Sequence, residues 1–205
     1  LVVSFEADPD FRTRVLALDA LVPIAAPDNP TPRLSTADLA RALTGQISNW
    51  DQAGGPDMPI VLHAVGPNSG LGKLIEGRLG QAVVAMIWHP DQATLARAVA
   101  RDPWAVGLIG KSAQGPARAL PLTDSCGFPL SPDPTAIRAE DYPLTFPTLL
   151  LIPPRRLPLI AREFLEYLSS PAGDQAVAGL GHVGRGIQRH PLRDDGLRLI
   201  NAIQG

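Results

Sequence analysis

Ile60-Val61-Leu62-His63-Ala64, then Val65-Gly66-Pro67-Asn68-Ser69-Gly70, then Leu71-Gly72-Lys73-Leu74-Ile75, is the stretch that decides the fold. The first five residues form an apolar run of strand length, and Pro67-Asn68 reads as a tight turn. Beyond it Leu74, Ile75 and Leu79 recur at helical spacing. A strand, a turn and a helix in immediate succession form the building unit of an α/β protein.

The same unit repeats on both sides. Upstream, residues 21–25 (LVPIA) predict a buried strand ended by the turn-rich Pro27-Asp28-Asn29-Pro30. Ser35-Thr36-Ala37-Asp38 resembles a capping box and opens a helix with Leu39, Ala42 and Leu43 on one face, stopped at Gly45. Downstream, Asp91 caps a helix that turns Leu95, Ala98 and Val99 inward and closes at Asp102-Pro103. Residues 105–109 and 118–122 predict two further strands, and residues 123–142 a Pro- and Gly-rich crossover without clear periodicity. A strand at 149–152 and an amphipathic helix at 157–168 follow. Ser170-Pro171 then supplies an N-cap and an N1 proline for a helix ending at Gly179 or Gly181, and an amphipathic stretch at 192–203 predicts a last helix. This divides the chain into an N-terminal segment and hinge at 1–19, an α/β lobe at 20–122, the crossover at 123–142, and the remainder of another lobe with a C-terminal helix at 143–205.

Composition bounds the function. In 205 residues, 45% hydrophobic and 19% charged side chains are ordinary for a globular chain and argue against disorder. A net charge of −2 gives no broad field for nucleic acid or an anionic membrane, so any anion must be held locally by aimed N–H groups. The 22 prolines are spread through loops, where they stiffen connections. No apolar run approaches the roughly 18 residues that span a bilayer. The chain opens on Leu1 without a signal peptide and reads as a trimmed piece of a longer protein. The single cysteine, Cys126, is either a free, part-buried thiol or one whose disulfide partner lies upstream of Leu1.

Catalytic patterns fail one by one. His63, His89, His182 and His190 are scattered, without HExxH or a cysteine at ligand spacing. Gly110-Lys111-Ser112 ends like a phosphate loop, but Ala105 stands at the required first glycine; Gly72-Lys73 fails likewise, with Pro67 there and Leu74 in place of a magnesium-binding hydroxyl. No nucleophile elbow surrounds Ser69. The constellation that remains is Asn68-Ser69-Gly70-Leu71. A helix start carries unpaired N–H groups and a partial positive charge, which suit a bound anion. Serine can donate to the ligand, and glycine lets it approach the backbone. A serine there also serves as an ordinary N-cap.

The order of segments resembles the phosphate-type solute-binding family. It runs through Leu16-Ala17-Leu18-Asp19-Ala20-Leu21-Val22, Pro27-Asp28-Asn29-Pro30, Gly45-Gln46-Ile47-Ser48-Asn49-Trp50 and Gly54-Gly55-Pro56. It continues through Asn68-Ser69-Gly70, Asp102-Pro103-Trp104-Ala105-Val106-Gly107, Tyr142-Pro143-Leu144, Ser170-Pro171-Ala172-Gly173 and Gly181-His182-Val183. The resemblance implies an α/β fold of the type II periplasmic-binding-protein kind, with one full lobe and part of a second. It implies a periplasmic, non-enzymatic module without cofactor that holds a small anion or polar solute at Asn68, Ser69, Gly70 and Leu71. It further implies delivery to an ABC-type membrane transporter, or sensing. Members usually begin with a further segment carrying a Gly/Ser-rich anion loop, so half of the site is expected here.

The loop departs from the family pattern. An arginine and an acidic residue precede Asn-Ser-Gly-Thr there, whereas Val65, Gly66 and Leu71 stand here. Loss of that bidentate cation predicts phosphate binding no tighter than millimolar. Lys73 reads as a solvated surface residue. A second reading is therefore an envelope scaffold with a degenerate site, similar to envelope proteins in which such a region precedes an outer-membrane-protein-A-like domain. The basic tail Arg185, Arg189 and Arg193 would fit that join. With half a lobe, the strand at 149–152 is expected either to recruit another chain by self-association or to be covered by residues 1–18, whose Leu1-Val2-Val3-Ser4-Phe5 is apolar and β-rich.

Overall fold

A computed structural model describes residues 1–184. The chain enters through β1 (Val2–Ser4) and turns, with the Phe11 N–H donating to the Asp8 carbonyl at 3.1 Å, into β2 (Arg12–Ala25). The predicted strand at 21–25 is thus the last third of a 14-residue strand. Its alternation is hidden because residues 17–25 are buried on both faces, as in a strand covered from two sides.

The first α/β half follows as β3 (Leu34–Ser35), α1 (Thr36–Leu43), β4 (Val61–Val65), α2 (Gly70–Leu79), β5 (Ile87–His89), α3 (Gln92–Val99) and β6 (Ala105–Gly110). Ser35 caps α1 by accepting the Asp38 N–H at 3.0 Å, and Gly45 ends it at φ +72°. Leu39, Ala42 and Leu43 face inward as their spacing predicts. In α3 the inward face is Leu95, Ala96 and Val99, so Ala96 takes the place expected for Ala98. Trp50 opens a 3-10 turn (Trp50–Ala53) and is fully buried, its indole N–H donating to the Trp104 carbonyl at 3.0 Å.

Beyond β6 the chain forms β7 (Arg118–Ala119), β8 (Leu122–Thr123), β9 (Pro129–Leu130) and α4 (Pro134–Ala139). The strand expected at 118–122 is two strands. Arg118–Ala119 pairs with β2, while Leu122–Thr123 pairs with β3 in a separate three-stranded sheet. Pro121 parts them, and its carbonyl accepts the Leu34 N–H at 3.0 Å. Within residues 123–142, where the sequence shows no clear periodicity, the chain forms β9 and α4. The latter starts at an Asp133 N-cap followed by Pro134 at its first position, a start signal that two turns of helix are too short to reinforce by periodicity. Cys126 is exposed rather than part-buried: the Asp124 carboxylate accepts the N–H groups of Cys126 and Phe128, at 2.9 and 2.8 Å, and turns the loop tip outward.

The return passes through Tyr142, whose hydroxyl donates to the Leu21 carbonyl at 2.9 Å and whose burial pushes its ionisation upward. It continues as β10 (Thr145–Ile152), α5 (Leu159–Tyr167) and α6 (Pro171–Gly179), the last with Ser170 as N-cap. The main sheet runs β1-β10-β2-β6-β4-β5, with β7 also on β2. β4, β5 and β6 are mutually parallel; β2 is antiparallel to β6 and to β10. β10 is paired on both edges inside one chain, with Val2, Val3 and Ser4 opposite Leu151, Leu150 and Leu149. Residues 1–18 therefore cover the strand at 149–152 through β1 and β2. A main hydrophobic core spans β2, β4, β6 and α1–α3; a small second one joins Leu150, Ile152 and Leu168. Among the described residues no helix is long and apolar enough to cross a membrane. The helix expected at 192–203 and the basic tail lie outside the described residues.

Candidate functional site

Because β4, β5 and β6 are parallel, their C-terminal ends lie along one edge of the sheet, where α/β proteins place ligands. The loop leaving β4 is fixed there by three backbone bonds. The Gly66 N–H donates to the His89 carbonyl of β5 at 3.1 Å, the Ser69 N–H to the Gly66 carbonyl at 2.9 Å, and the Lys73 N–H to the Ser69 carbonyl at 3.0 Å. Ser69 is the N-cap of α2, with extended backbone and its Oγ accepting the Gly72 N–H at 3.0 Å. That one cap satisfies Gly72 and leaves the Gly70 and Leu71 N–H groups without a backbone or side-chain partner among the described residues. Asn68 and Gly70 are exposed, while the Leu71 side chain is buried, so Leu71 can contribute its N–H alone.

Glycine at 72 is required by this geometry. A Cβ there would lie 2.5 Å from the Gly66 carbonyl oxygen and 3.0 Å from the Pro67 Cα, so the loop could not fold back on the helix. Over Gly70 lies Phe5: a Cβ at 70 would meet its ring at 3.3 Å. The same ring packs edge-on against Phe146 of β10, with centroids 5.2 Å apart at 89°. The N-terminal segment thus reaches the start of α2, which the isolated Phe5 gave no periodic signal to foretell.

Charge is scarce in the loop. Val65 is buried in the core, Gly66 has no side chain, and Lys73 is exposed. Arg78, in the last turn of α2, donates from Nη2 to the Thr145 carbonyl at 2.5 Å, while its Nη1 is buried without a hydrogen-bond partner among the described residues. Desolvation by burial pulls the Arg78 ionisation downward.

Two other polar groups adjoin this edge. Asp19 is buried in β2 and accepts from the Ala20 N–H at 2.8 Å, the Ser112 N–H at 3.3 Å and the Ser112 hydroxyl at 2.5 Å; His182 Nδ1 stands 3.6 Å away. The Gly110-Lys111-Ser112 segment therefore has a structural task, tying the end of β6 to β2, and Lys111 Nζ donates to the Pro132 carbonyl. A charged residue inside the apolar run Leu18-Asp19-Ala20-Leu21 was the signal available for Asp19. His63 and His89, far apart in sequence, share a 2.9 Å hydrogen bond between Nδ1 and Nε2. Burial, then the His89 charge, holds the His63 imidazole below its ordinary range, against Asp102; burial also lowers His89, against Asp91. Among the described residues, no three His, Cys, Asp or Glu side chains are grouped to hold a metal.

Solved structures share this architecture. A putative phosphate ABC transporter substrate-binding protein with bound phosphate from Clostridium perfringens superposes with a TM-score of 0.80 at 19% identity, over 90% of this chain and 78% of that one. An ABC-type phosphate transport receptor from Vibrio cholerae gives 0.69 at 24% identity, over 86% and 74%. In sequence, the phosphate-binding protein PstS of Borreliella burgdorferi is 38% identical over 55 residues, 27% of this chain, and the match spans only 20% of that protein's length. The fold is thus the type II periplasmic binding kind that the ordered motifs imply. A family model described as the PBP superfamily domain matches residues 4–172, and the chain belongs to that superfamily.

Proposed function

We propose that this chain is the ligand-binding module of a periplasmic receptor that captures a small oxyanion of the phosphate kind and presents it to an ABC-type membrane transporter. The observation that carries this is the start of α2: two unpartnered N–H groups, at Gly70 and Leu71, at the C-terminal edge of parallel strands. Proteins of this fold include a transporter component with phosphate bound. Such a site binds by oriented dipoles and offers no nucleophile, so the reading is capture without chemistry. The lobes would be residues 20–122 and the β10-containing remainder, hinged on β2. Titration of the chain with phosphate, followed by amide NMR shifts, is expected to move Gly70 and Leu71 with saturation in the millimolar range. Shifts confined to surface lysines, or none, would overturn it.

The absence of a cation within residues 65–71 favours a second reading, an envelope scaffold whose site has degenerated and which contacts protein or peptidoglycan. Silent anion titrations together with retention of the chain on peptidoglycan sacculi would select that reading.

A further inference from the structure

We propose that a second, separate binding site lies at the far end of β2, where four arginines surround one concavity, and that it takes a compact polyanion carrying two or more phosphate or carboxylate groups. This site stands apart from the anion-capture reading above. Arg12 opens β2, Arg155 and Arg156 sit in the loop after β10, and Arg162 lies in α5. These three stretches meet around a cavity of about 510 Å³ whose remaining wall is Pro154, Leu157 and Leu165. That size is ordinary for a small-molecule site. All four arginines are exposed, and none makes a hydrogen bond or an ion pair with a described residue. The nearest carboxylates along the chain, Asp10 and Glu163, stand two residues from Arg12 and one from Arg162, and neither lines the cavity.

The whole chain carries a net charge of −2, so this is a local accumulation of positive charge. Four guanidiniums around a partly apolar wall focus a positive potential inside the concavity. A lone exposed arginine holds a single carboxylate weakly. A polyanion engages several guanidiniums at once: each contact can be bidentate, and each one after the first forms at high effective concentration. The loop is stiffened for this, since Pro153, Pro154 and Pro158 fix φ on both sides of Arg155 and Arg156. Leu157 and Leu165 pack at the margin of the small core of Leu150, Ile152 and Leu168, which ties the loop and α5 to the strand ends. Arg162 and Leu165, three residues apart, share one face of α5. Position separates this site from the start of α2. Arg12 is paired with Ile152, whereas Leu21, beside Gly110 at the C-terminal end of β6, stands about 30 Å further along β2.

The test is titration of the chain with tripolyphosphate and with citrate, read by amide NMR, with inorganic phosphate and chloride as controls. The amides of Arg155, Arg156 and Leu157 are expected to shift and to saturate at concentrations roughly tenfold below those that phosphate needs, with affinity falling as salt rises. The double variant Arg155→Ser/Arg156→Ser is expected to weaken tripolyphosphate binding roughly tenfold or more, with its fold checked by melting curves. If that variant melts too early to titrate, Arg12→Ser and Arg162→Ser, from the other two stretches, decide, and each should weaken binding by a smaller factor. Unchanged affinity in the folded variants overturns the assignment. So does equal affinity for phosphate and tripolyphosphate, or silence toward both polyanions. Vesicles containing phosphatidylglycerol and a polyglutamate peptide separate the sources of the charge. Retention of the chain by either one, with the soluble polyanions silent, makes the patch a macromolecular contact surface and overturns the small-ligand assignment. Loss of phosphate-induced shifts at Gly70 and Leu71 in the double variant would merge the two sites and overturn their separation.

Discussion

Helices α3 and α5 carry the same kind of amphipathic sequence and meet different ends. In α3, Leu95, Ala96 and Val99 are each at 0% exposure against β4 and β6. In α5 no residue is buried, and Ile160 stays 76% and Phe164 47% exposed. An apolar stripe states what a helix can bury, whereas burial needs a facing surface. The parallel strands give α3 one; around α5 the described residues offer only the small cluster of Leu150, Ile152 and Leu168 with Leu16, Leu157 and Leu165 at its margin. The helices differ at their starts too. Asp91 caps α3 with its carboxylate, while α5 begins at Pro158 with no side-chain cap.

The largest expected difference follows from packing. Leu95→Ala should lower unfolding free energy by about 2–5 kcal/mol, since the fully packed site cannot collapse around the lost atoms. Ile160→Ala should stay within about 0.5 kcal/mol. Urea unfolding of the two variants checks this, and equal losses would mean that α5 is covered in solution. A smaller effect concerns the caps. Ser69→Ala should cost about 1 kcal/mol, by freeing the Gly72 N–H, while Pro158→Ala should lose no capping energy. Thermal melts of both resolve the gap, and a Pro158 loss as large as that of Ser69 would break the contrast.

The smallest effect is acid sensitivity confined to the α3 half. The His63 and His89 imidazoles are depressed in the folded chain, so folding favours their neutral forms. Their stabilisation is complete above the unfolded imidazole range, roughly pH 6.5, and is lost as pH falls through their lowered folded values. Hydrogen exchange, corrected for its intrinsic pH dependence, should show β4 and β5 losing protection below that pH before β10 does. A His63→Gln variant should flatten the trend; simultaneous loss across all three strands would show that the pair does not set it.

Local signals were enough for the strand-turn-helix units, the serine and aspartate caps and the glycine stops, because each depends on a few adjacent residues. The ordered motifs likewise placed the chain in its fold. For the strand at 149–152 the sequence left two outcomes open, recruitment of another chain or covering by residues 1–18, and the structure shows the covering. What needed tertiary structure was every pairing of distant residues. Phe5 against Gly70 and Phe146, Arg78 against Thr145, Asp19 with Ser112, and His63 with His89 are brought together by sheet order. Arg78 by itself is an unremarked basic residue near a helix end, where the dipole favours it. The sequence by itself determined the elements and the loop that starts α2. Only the tertiary structure decided which side chains surround that loop, because burial and hydrogen-bond satisfaction belong to surfaces that separate stretches of chain build jointly.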